Sequence, residues 1–373
     1  MGVAVQCRER HRGEQGARET REEGGRQPLP HQMSSSSSSS TAERISDHTH
    51  THTCTHTVAC CRHKKTEPEE HARRHKEREG ERPRLRRGRH LQIEMSGVVV
   101  SLCLLVVFVL LCELSRRILT KLLAPRGLCL SAVYAVELVS TLQLCICNLE
   151  LRLLGEVGRL QPQFCLSLTY LASVVHGLTF HGALGNPCST LEYTYRGRLT
   201  ARSGVLRMVC QFMAASVART MLQGLWALGL SDLHLRHTLQ GFQCISPIHT
   251  DTHTSLVLPG PLVTAAAVEL AGAFAMQTAF THTHTMDQRY RVHAIAALTA
   301  TLTYAGGKMT GAVFNPALAL STQFSCSGHS FLDYCLVYWL APLLGMMCSV
   351  LLFDQMLSGR ASPYRPLLAN KRK

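Results

Sequence analysis

The stretches Gly182-Ala183-Leu184-Gly185-Asn186-Pro187-Cys188 and Gly311-Ala312-Val313-Phe314-Asn315-Pro316-Ala317 decide the fold of this chain. Proline suits the first position of a helix because its missing N–H would be unpaired there, and asparagine is a good N-cap. Each Asn-Pro pair therefore predicts a helix start. The following segments, 188–195 and 318–324, hold only about two turns each. Because they are too short to span a bilayer, we predict two re-entrant half-helices, surrounded by protein or a water-filled cavity.

Long apolar runs surround these half-helices. Seven segments approach spanning length: 97–114, 128–149, 164–180, 204–228, 261–280, 292–304 and 331–353. The sequence predicts an all-α, multi-pass membrane protein with six core transmembrane helices. The first of the seven segments is a possible extra N-terminal helix, which would span, form a hairpin or lie at the surface.

The last six segments form two similar sets of three. Ala135-Val136-Glu137-Leu138 recurs as Ala267-Val268-Glu269-Leu270, and an Asn-Pro pair follows 49 residues after Glu137 and 46 residues after Glu269. Because three is odd, the second set must enter the membrane from the opposite side, which makes an inverted repeat. The two half-helices then meet N-terminus to N-terminus, and their positive ends disfavour cations and protons.

The basic residues indicate the orientation of the chain. With the 115–127 connection in the cytosol, the inside connections hold 15 Lys and Arg residues and the outside connections hold four, Arg152, Arg159, Arg236 and Lys308. Cytosolic connections are enriched in positive charge, so both ends of the six-helix core are predicted to be cytosolic. We divide the chain into an N-terminal hydrophobic segment and basic linker (95–127), a first channel repeat (128–230), a connecting loop (231–260), a second repeat (261–356) and a basic cytosolic tail (357–373).

Residues 1–94 have a different composition from the rest. They carry 19 of the 39 Lys and Arg and 14 of the 25 Asp and Glu, with seven serines at 34–40. Such a segment cannot bury enough apolar surface to fold, so we predict a disordered, low-complexity extension. Its Thr-His alternation at 48–57 recurs at 249–254 and 281–285, as a translated CA-dinucleotide repeat would. We therefore favour a gene-model artefact and a natural start at Met95 over metal binding by the histidines. The Arg-rich run 73–89 lacks interleaved aromatic residues, and we predict no nucleic-acid partner.

Two carboxylates lie inside apolar spans, where an uncompensated charge costs several kcal/mol. We assign Glu137 and Glu269 to accept hydrogen bonds from the backbone N–H groups of the re-entrant loops, whose turns use Gly182 and Gly311. A proton relay is the alternative role, and Arg219 in the third core span is a candidate partner for one of them. The amides of Asn186 and Asn315 can orient an oxygen-bearing permeant. A single such asparagine would merely cap its helix, but the matched pair favours a pore.

These motifs resemble the aquaporin (major intrinsic protein) family. Asn186-Pro187-Cys188, in place of Asn-Pro-Ala, resembles the unorthodox subfamily that includes aquaporin eleven. The resemblance covers roughly residues 95–360 and rests on the Asn-Pro pairs, the repeated glutamates and the segments 304–307, 311–320, 338–339, Pro342 and Gly345. It implies the aquaporin fold and a passive pore for water and sometimes glycerol or hydrogen peroxide. It also implies a homotetramer in the endoplasmic reticulum or another intracellular membrane, with the plasma membrane as a further possibility.

The chain departs from the orthodox pattern at two positions, Leu318 and Cys188. Leu318 stands where orthodox members carry an arginine that narrows the filter, so the filter is expected to be wider and less polar. Cys188 either is a small tolerated residue or gives the pore a redox-sensitive thiol. Family analogy gives Cys326 a role in assembly, and a buried free thiol is the alternative. The pore residues are therefore predicted to be Asn186, Pro187, Cys188, Asn315, Pro316, Ala317 and Leu318.

The sequence contains no motif that combines a nucleophile, a base and an orienting acid, and it contains no cofactor or metal motif. We therefore predict a channel and not an enzyme. Two other functions remain open. An inverted-repeat transporter would use Glu137, Glu269 or His176 to couple ions to a substrate. A membrane scaffold with a closed pore would act through its His- and Arg-rich extension.

Overall fold

The computed structural model describes residues 97–123, 125, 127–158, 160–244, 246, 248, 260–324 and 326–358, with side chains as far as residue 353. The extension 1–94, the Thr-His runs at 48–57 and 249–254 and nearly all of the tail 357–373 lie outside these residues. In the part of the chain that is described, the regular structure is helical. The apolar runs account for this, because only a helix satisfies its backbone groups within one membrane-embedded segment.

Seven long helical segments correspond to the seven apolar runs. Helix α1 spans Gly97–Leu123, α2 Cys129–Glu156, α3 Pro162–Thr179, α5 Ala201–Ala227, α7 Gly260–His282 and α8 Gln288–Thr310. The last begins as α10, Phe331–Cys335, passes through one π-helical turn at Leu336–Leu340 and continues as α11, Ala341–Ser358. Five of the seven (α1, α2, α5, the α7 region and the 331–353 segment) are long and apolar enough to cross a membrane by length and composition alone.

Three short helices complete the part of the chain that the structure describes. Helix α4, Pro187–Tyr195, and helix α9, Pro316–Thr322, begin at the prolines of the two Asn-Pro pairs and have nine and seven residues. They are the two predicted half-helices. Helix α6, Asp232–Leu239, lies in the loop that connects the two repeats.

The order of elements repeats. Helices α2, α3, α4 and α5 are followed, after the connecting loop, by α7, α8, α9 and the α10–α11 segment. Contacts follow the same symmetry, since α2 packs on α5 in the first repeat and α7 packs on α11 in the second, while α3 and α8 pair across the repeats. The predicted aquaporin fold, with six core helices and two re-entrant half-helices in an inverted repeat, is confirmed.

Small residues allow these helices to approach closely. A Cβ on Gly345 would overlap the carbonyl oxygen of Leu270, so α11 packs directly on the backbone of α7. A Cβ on Gly177 of α3 would lie 2.9 Å from the side chain of Val292 on α8. Interfaces between membrane helices are rich in small residues because van der Waals packing drives their association.

Helix α1 runs antiparallel to α2. We call the face at which α2 begins the inner face, which the basic residues predict to be cytosolic, and the opposite face the outer face. Ser101, near the start of α1, lies 3.4 Å from His234, which also contacts Glu150 in the outer half of α2. Near the other end of α1, the fully buried Arg116 donates to Gln143 of α2 at 2.8 Å. This path carries α1 from the outer to the inner face.

A disulfide joins Cys244 of the connecting loop to Cys326, which follows α9 and lies 82 positions further along the sequence. The alternative that Cys326 is a buried free thiol was therefore wrong. No local sequence pattern indicates the pairing, because the two cysteines belong to different loops. The backbone also joins these loops, since Ser246 donates to Ser327 at 2.8 Å and Ser327 donates to Cys244 at 3.0 Å.

The third Thr-His run, 281–285, begins in the last turn of helix α7 and continues from it without an irregular segment. Thr281 and Thr283 bond back to carbonyl oxygens one turn earlier, and a short 3₁₀ turn at Thr283–Thr285 ends the segment. His282 packs edge-on against Phe353 at a centroid distance of 4.6 Å. The side chains of this run are thus accommodated at the helix end by local bonds.

Candidate pore

The asparagine of each Asn-Pro pair caps the half-helix that follows it. Asn186 and Asn315 both have extended backbones, and the side-chain oxygen of Asn186 accepts a hydrogen bond from the Cys188 N–H at 2.9 Å. The side-chain oxygen of Asn315 accepts from the N–H groups of Ala317 and Leu318 at 3.0 and 3.3 Å. The cap fixes which way each amide points, because the oxygen must face its own helix.

The amide nitrogens then link the two loops reciprocally. Asn186 Nδ2 donates to the carbonyl oxygen of Phe314 at 3.3 Å, and Asn315 Nδ2 donates to the carbonyl oxygen of Gly185 at 2.8 Å. Each acceptor is the residue directly before the other asparagine. The N-termini of α4 and α9 therefore face each other, and their partial positive charges meet at one place.

Each amide keeps hydrogen-bonding capacity after these contacts. An asparagine NH₂ group has two donors, and one of them is used in the cross-loop bond. Within the described residues, the second N–H of Asn186 and of Asn315 has no protein acceptor. Each asparagine can thus serve in both roles considered above. Its side-chain oxygen caps a helix, and one N–H is available to a permeant.

Glu137 holds the first re-entrant loop from α2. Its buried carboxylate accepts hydrogen bonds from the backbone N–H groups of Leu184 at 3.0 Å and Gly185 at 2.7 Å. Arg207 of α5 also donates to it at 3.0 Å, and Gln211 one turn later donates at 2.7 Å. Four donors surround this carboxylate, which offsets the cost of burying its charge.

Glu269 holds the second loop from α7 in the same manner. Its carboxylate accepts from the N–H groups of Val313 at 3.0 Å and Phe314 at 2.6 Å. These two residues precede Asn315 as Leu184 and Gly185 precede Asn186, so the glutamate contacts obey the inverted repeat. The symmetry is incomplete, because Arg207 donates to Glu137 whereas no described arginine donates a hydrogen bond to Glu269.

The arginine partner proposed from the sequence was wrong. Arg207, and not Arg219, forms the ion pair with Glu137. Gln211, which also donates to Thr190 of α4 at 2.9 Å, was missed as well. The spacing of one turn in an apolar span indicates that both side chains face the protein interior, but it does not show which glutamate they contact.

The turns of both loops use left-handed backbone conformations. Gly182 and Gly311 have φ values of 90° and 84°, at equivalent positions four residues before the asparagines. The positions directly before the asparagines also match, with Gly185 at φ 62° and Phe314 at φ 51°. The Phe314 ring lies against Gly272 of α7, where any Cβ would overlap it. A glycine on α7 thus makes room for a bulky residue at a strained position.

Cys188 points away from the opposite loop. Its side chain is 4% exposed and packs with Met346 and Val350 of α11. Its counterpart Ala317 is fully buried as well. Packing against α11 favours the view of Cys188 as a small residue that fits its site.

Among the described residues, no arginine lies beside Leu318, which is itself buried. The nearest cation along α9 is one turn further out, where Arg152 of α2 donates to the carbonyl oxygen of Thr322 at 2.8 Å. Arg152 also forms an ion pair with Glu156 at 2.7 Å. The guanidinium therefore lies at the C-terminal, partly negative end of the half-helix, a favourable position for a cation.

His176, a candidate for proton coupling, is buried in α3 and packs against the Phe180 ring in a tilted arrangement at a centroid distance of 5.3 Å. Its Nε2 atom has no hydrogen-bond partner among the described residues. It therefore belongs to no chain of hydrogen bonds that reaches Glu137 or Glu269 in the described structure. The described residues also contain no group of three or more His, Cys, Asp or Glu side chains that could hold a metal ion.

Three comparisons with known proteins found similar proteins. The family model described as major intrinsic protein matches residues 148–353. Aquaporin-11 from Homo sapiens is 36% identical over 264 residues, covering 71% of this chain and 92% of that protein. Aquaporin-12 from Mus musculus is 36% identical over 262 residues, covering 69% of this chain and 86% of that protein. The X-ray structure of the aquaglyceroporin from Plasmodium falciparum has a TM-score of 0.49 and 13% identity, covering 61% of this chain and 96% of that one.

Proposed function

Because this chain belongs to the aquaporin (major intrinsic protein) family, we propose that it passively conducts water and small neutral solutes between its two re-entrant loops. It resembles the unorthodox members aquaporin-11 and aquaporin-12. It is a multi-pass membrane channel and not an enzyme. The identity of the solute and the residues that select it are the proposal.

The reciprocal hydrogen bonds from Asn186 to Phe314 O and from Asn315 to Gly185 O carry this proposal. They hold the two half-helix N-termini against each other, with one free N–H on each amide. A water molecule or a hydroxyl group that passes can accept from both amides in turn. A cation meets the positive ends of two helices and gains no compensating acceptor, so it is excluded.

Leu318 supports a permeant range wider than water. An arginine at this place would narrow the pore and bind water, whereas a buried leucine offers no hydrogen bond. The cation nearest to it along α9, Arg152, is held by Glu156 and by the Thr322 carbonyl. We therefore include glycerol and hydrogen peroxide among the candidate solutes.

The disulfide supports an oxidising compartment on the outer face. Disulfides persist in the endoplasmic reticulum lumen and outside the cell and are rare in the cytosol. Cys244 and Cys326 lie in loops that the basic residues predict to be outside. We propose an endoplasmic reticulum or other intracellular membrane, with the plasma membrane also consistent, and a homotetramer with one pore in each subunit.

The domain boundaries follow the repeats. The first channel repeat, 128–230, contains α2 to α5, and the second, 261–356, contains α7 to α11. The segment 231–260 connects them through α6 and the disulfide loop. Residues 95–127 contain α1, which lies outside the inverted repeat.

Stopped-flow swelling of proteoliposomes that contain the full chain tests the proposed function. We expect water and glycerol flux that does not saturate and does not depend on a pH gradient. Asn186→Ala should reduce selectivity or flux, whereas Asn148→Ala should not, because Asn148 bonds only within α2, to the Leu144 carbonyl. Saturable, pH-driven uptake would instead indicate a transporter, and a complete lack of flux would indicate a scaffold.

A further inference from the structure

Helix α1 lies outside the inverted repeat, yet it contacts the start of the first re-entrant loop. Nε2 of His181, the residue directly before Gly182, lies 3.0 Å from Oε2 and 3.2 Å from Oε1 of Glu113 on α1. The His181 side chain is 48% exposed and that of Glu113 is 17% exposed. Because α3 runs from the outer to the inner face, this contact lies on the inner side of the junction. The function proposed above does not use it.

Glu113 is held in place by buried partners. It accepts from Arg116, one turn later on α1, at 3.1 Å, and the fully buried Arg116 donates to Gln143 of α2 at 2.8 Å. Gln143 in turn donates to Thr179 at 3.1 Å, and Thr179 ends α3 two residues before His181. These contacts form a closed ring from α1 through α2 and α3 back to α1. The ring surrounds the point where α3 passes into the loop.

The corresponding point of the second loop is anchored differently. Thr310 corresponds to His181, because each directly precedes the glycine that begins its loop. Thr310 is fully buried, and its carbonyl oxygen accepts from the Tyr338 hydroxyl at 2.7 Å. This anchor is neutral and comes from within the second repeat. The first loop is instead anchored from outside its repeat, by two groups that can carry opposite charges.

The backbone of His181 depends on such an anchor. Its φ of 49° is left-handed, a conformation that is costly for a residue with a Cβ atom and that persists where surrounding contacts favour it. Thr310 at the equivalent position is still helical. The contact with Glu113 therefore stabilises a conformation that the first loop requires and the second loop does not use at this position.

The charges near His181 determine how a proton changes this contact. By element, the described charged and titratable groups are Glu113, Arg116 and Arg117 on α1, Glu137 on α2, His176 on α3 and Arg207 on α5. Glu137 and Arg207 are paired with each other, and His176 is buried against Phe180. Glu113 is the one that His181 contacts, and Arg117 shares its carboxylate at 2.6 Å. An imidazolium donates a charge-assisted hydrogen bond to a carboxylate, so the contact is stronger when His181 is protonated, although the two arginines reduce the gain.

We propose that α1, through Glu113, positions the start of the first re-entrant loop, and that protonation of His181 strengthens this contact and favours the conducting arrangement. The proposal rests on the function proposed above. A held loop start favours the arrangement in which Asn186 and Asn315 bond across the junction. Acidification at the inner face thus raises the flux, and removal of the proton loosens the loop. Histidine is suited to this role because its charge ordinarily changes between about pH 5 and pH 8.

Stopped-flow swelling of proteoliposomes with equal pH on both sides tests the proposal. The full-length wild type, His181→Asn and His284→Asn are compared at about pH 6 and about pH 8. Asparagine accepts a left-handed backbone but does not titrate and is too short to replace Nε2. We expect the wild type to conduct about twofold faster at the lower pH, and His181→Asn to conduct equally at both. The control His284, an exposed histidine in the turn after α7, should leave the wild-type ratio unchanged when replaced.

A double-mutant cycle tests the contact independently of flux. Thermal unfolding of the wild type, Glu113→Gln, His181→Asn and the double variant is measured at both pH values. The coupling between the two substitutions should be larger at the lower pH, where the imidazolium meets the carboxylate. If Glu113→Gln fails to fold because Arg116 loses its partner, His181→Asn decides the matter. It leaves the Glu113–Arg116 pair intact, and its loss of stability should be larger at the lower pH.

Two results would overturn the proposal while the proposed function stands. One is wild-type flux that is equal at both pH values, and the other is a wild-type flux ratio that persists in His181→Asn. If the wild type conducts nothing, the function proposed above fails, and with it the effect of the proton on flux. A coupling between Glu113 and His181 that is absent, or equal at both pH values, would then overturn the positioning role as well.

Discussion

The side-chain amide of Asn315 donates a hydrogen bond to the carbonyl oxygen of Gly185, 2.8 Å away across the junction of the two re-entrant loops. The two residues are 130 positions apart in the chain. Through this bond and its counterpart from Asn186, each asparagine fixes the backbone of the other loop as well as its own helix. The junction is therefore one rigid unit, and a change in either asparagine should alter both halves of the pore.

Asn315→Asp should weaken cation exclusion. Aspartate still caps α9, so folding should be kept, but a negative charge replaces the neutral amide at the junction of two positive helix ends. The carboxylate also cannot donate to Gly185 O. We expect a measurable cation conductance in liposomes that the wild type lacks, while water flux continues. Asn148→Asp is the control, and a variant Asn315→Asp that excludes ions as the wild type does would show that this residue does not face the pore.

Glu137→Gln should destabilise the protein more than Arg207→Gln. Removing the carboxylate leaves the Arg207 guanidinium largely buried without its partner, which typically costs about 3–5 kcal/mol. Removing the guanidinium leaves Glu137 with two backbone N–H donors and Gln211. Thermal unfolding of the two single variants and the double variant measures this. The double variant should be less destabilised than the sum of the single effects, and strict additivity would argue against a coupled pair.

The repeat and the half-helices could be predicted from the sequence because they depend on local chemistry. An Asn-Pro pair specifies a helix start, and a carboxylate in an apolar span requires donors nearby. The roles expected for Glu137 and Glu269 correspond to backbone bonds that any residues at 184–185 and 313–314 could supply. These hydrogen bonds come from backbone N–H groups and do not depend on the side chains of the donor residues. They could therefore be predicted from the positions of the glutamates alone.

Contacts between distant side chains could not be predicted in the same way. Whether Arg207 or Arg219 meets Glu137 depends on the rotation of α5 about its axis, and both arginines lie in the same apolar run. The Cys244–Cys326 disulfide depends on the relative position of two outer loops, which no local sequence pattern indicates. The direction of α1 was likewise open, because its packing on α2 is decided by Arg116 and Gln143 together.

Two glycine substitutions in membrane helices should have opposite effects. Gly345→Ala should destabilise the protein, because the added methyl group would overlap the Leu270 backbone and force α7 and α11 apart. A cost of about 1–3 kcal/mol is typical of such overpacking. Gly224→Ala should be neutral or stabilising by about 0.5–1 kcal/mol, because no atom lies within 4 Å of the added Cβ. Thermal unfolding of both variants checks this, and equal effects would contradict the close α7–α11 packing.

The Cys244–Cys326 disulfide should stabilise the outer loops. Cys244→Ser, Cys326→Ser and the double variant should each lose about 2–4 kcal/mol, because one bond is broken in all three. Reduction should lower the unfolding temperature of the wild type and leave the variants unchanged. Cys348→Ser is the control, since Cys348 is a free, exposed cysteine. Labelling of Cys326 by a maleimide in the unreduced wild type would contradict the bond.

Helix α1 should place the residues before Gly97 on the side opposite to the C-terminal tail. Ser101 lies near His234 at the outer face, whereas Arg116 reaches Gln143 at the middle of α2 and α1 continues inward to Leu123, so the helix crosses once. Epitopes are inserted before Gly97, in the 123–128 connection or after residue 358, and sealed microsomes are treated with protease. The first epitope should be protected, and the other two should be cleaved. Cleavage of all three would show that α1 does not cross the membrane, and that Arg116 is held at the inner surface instead.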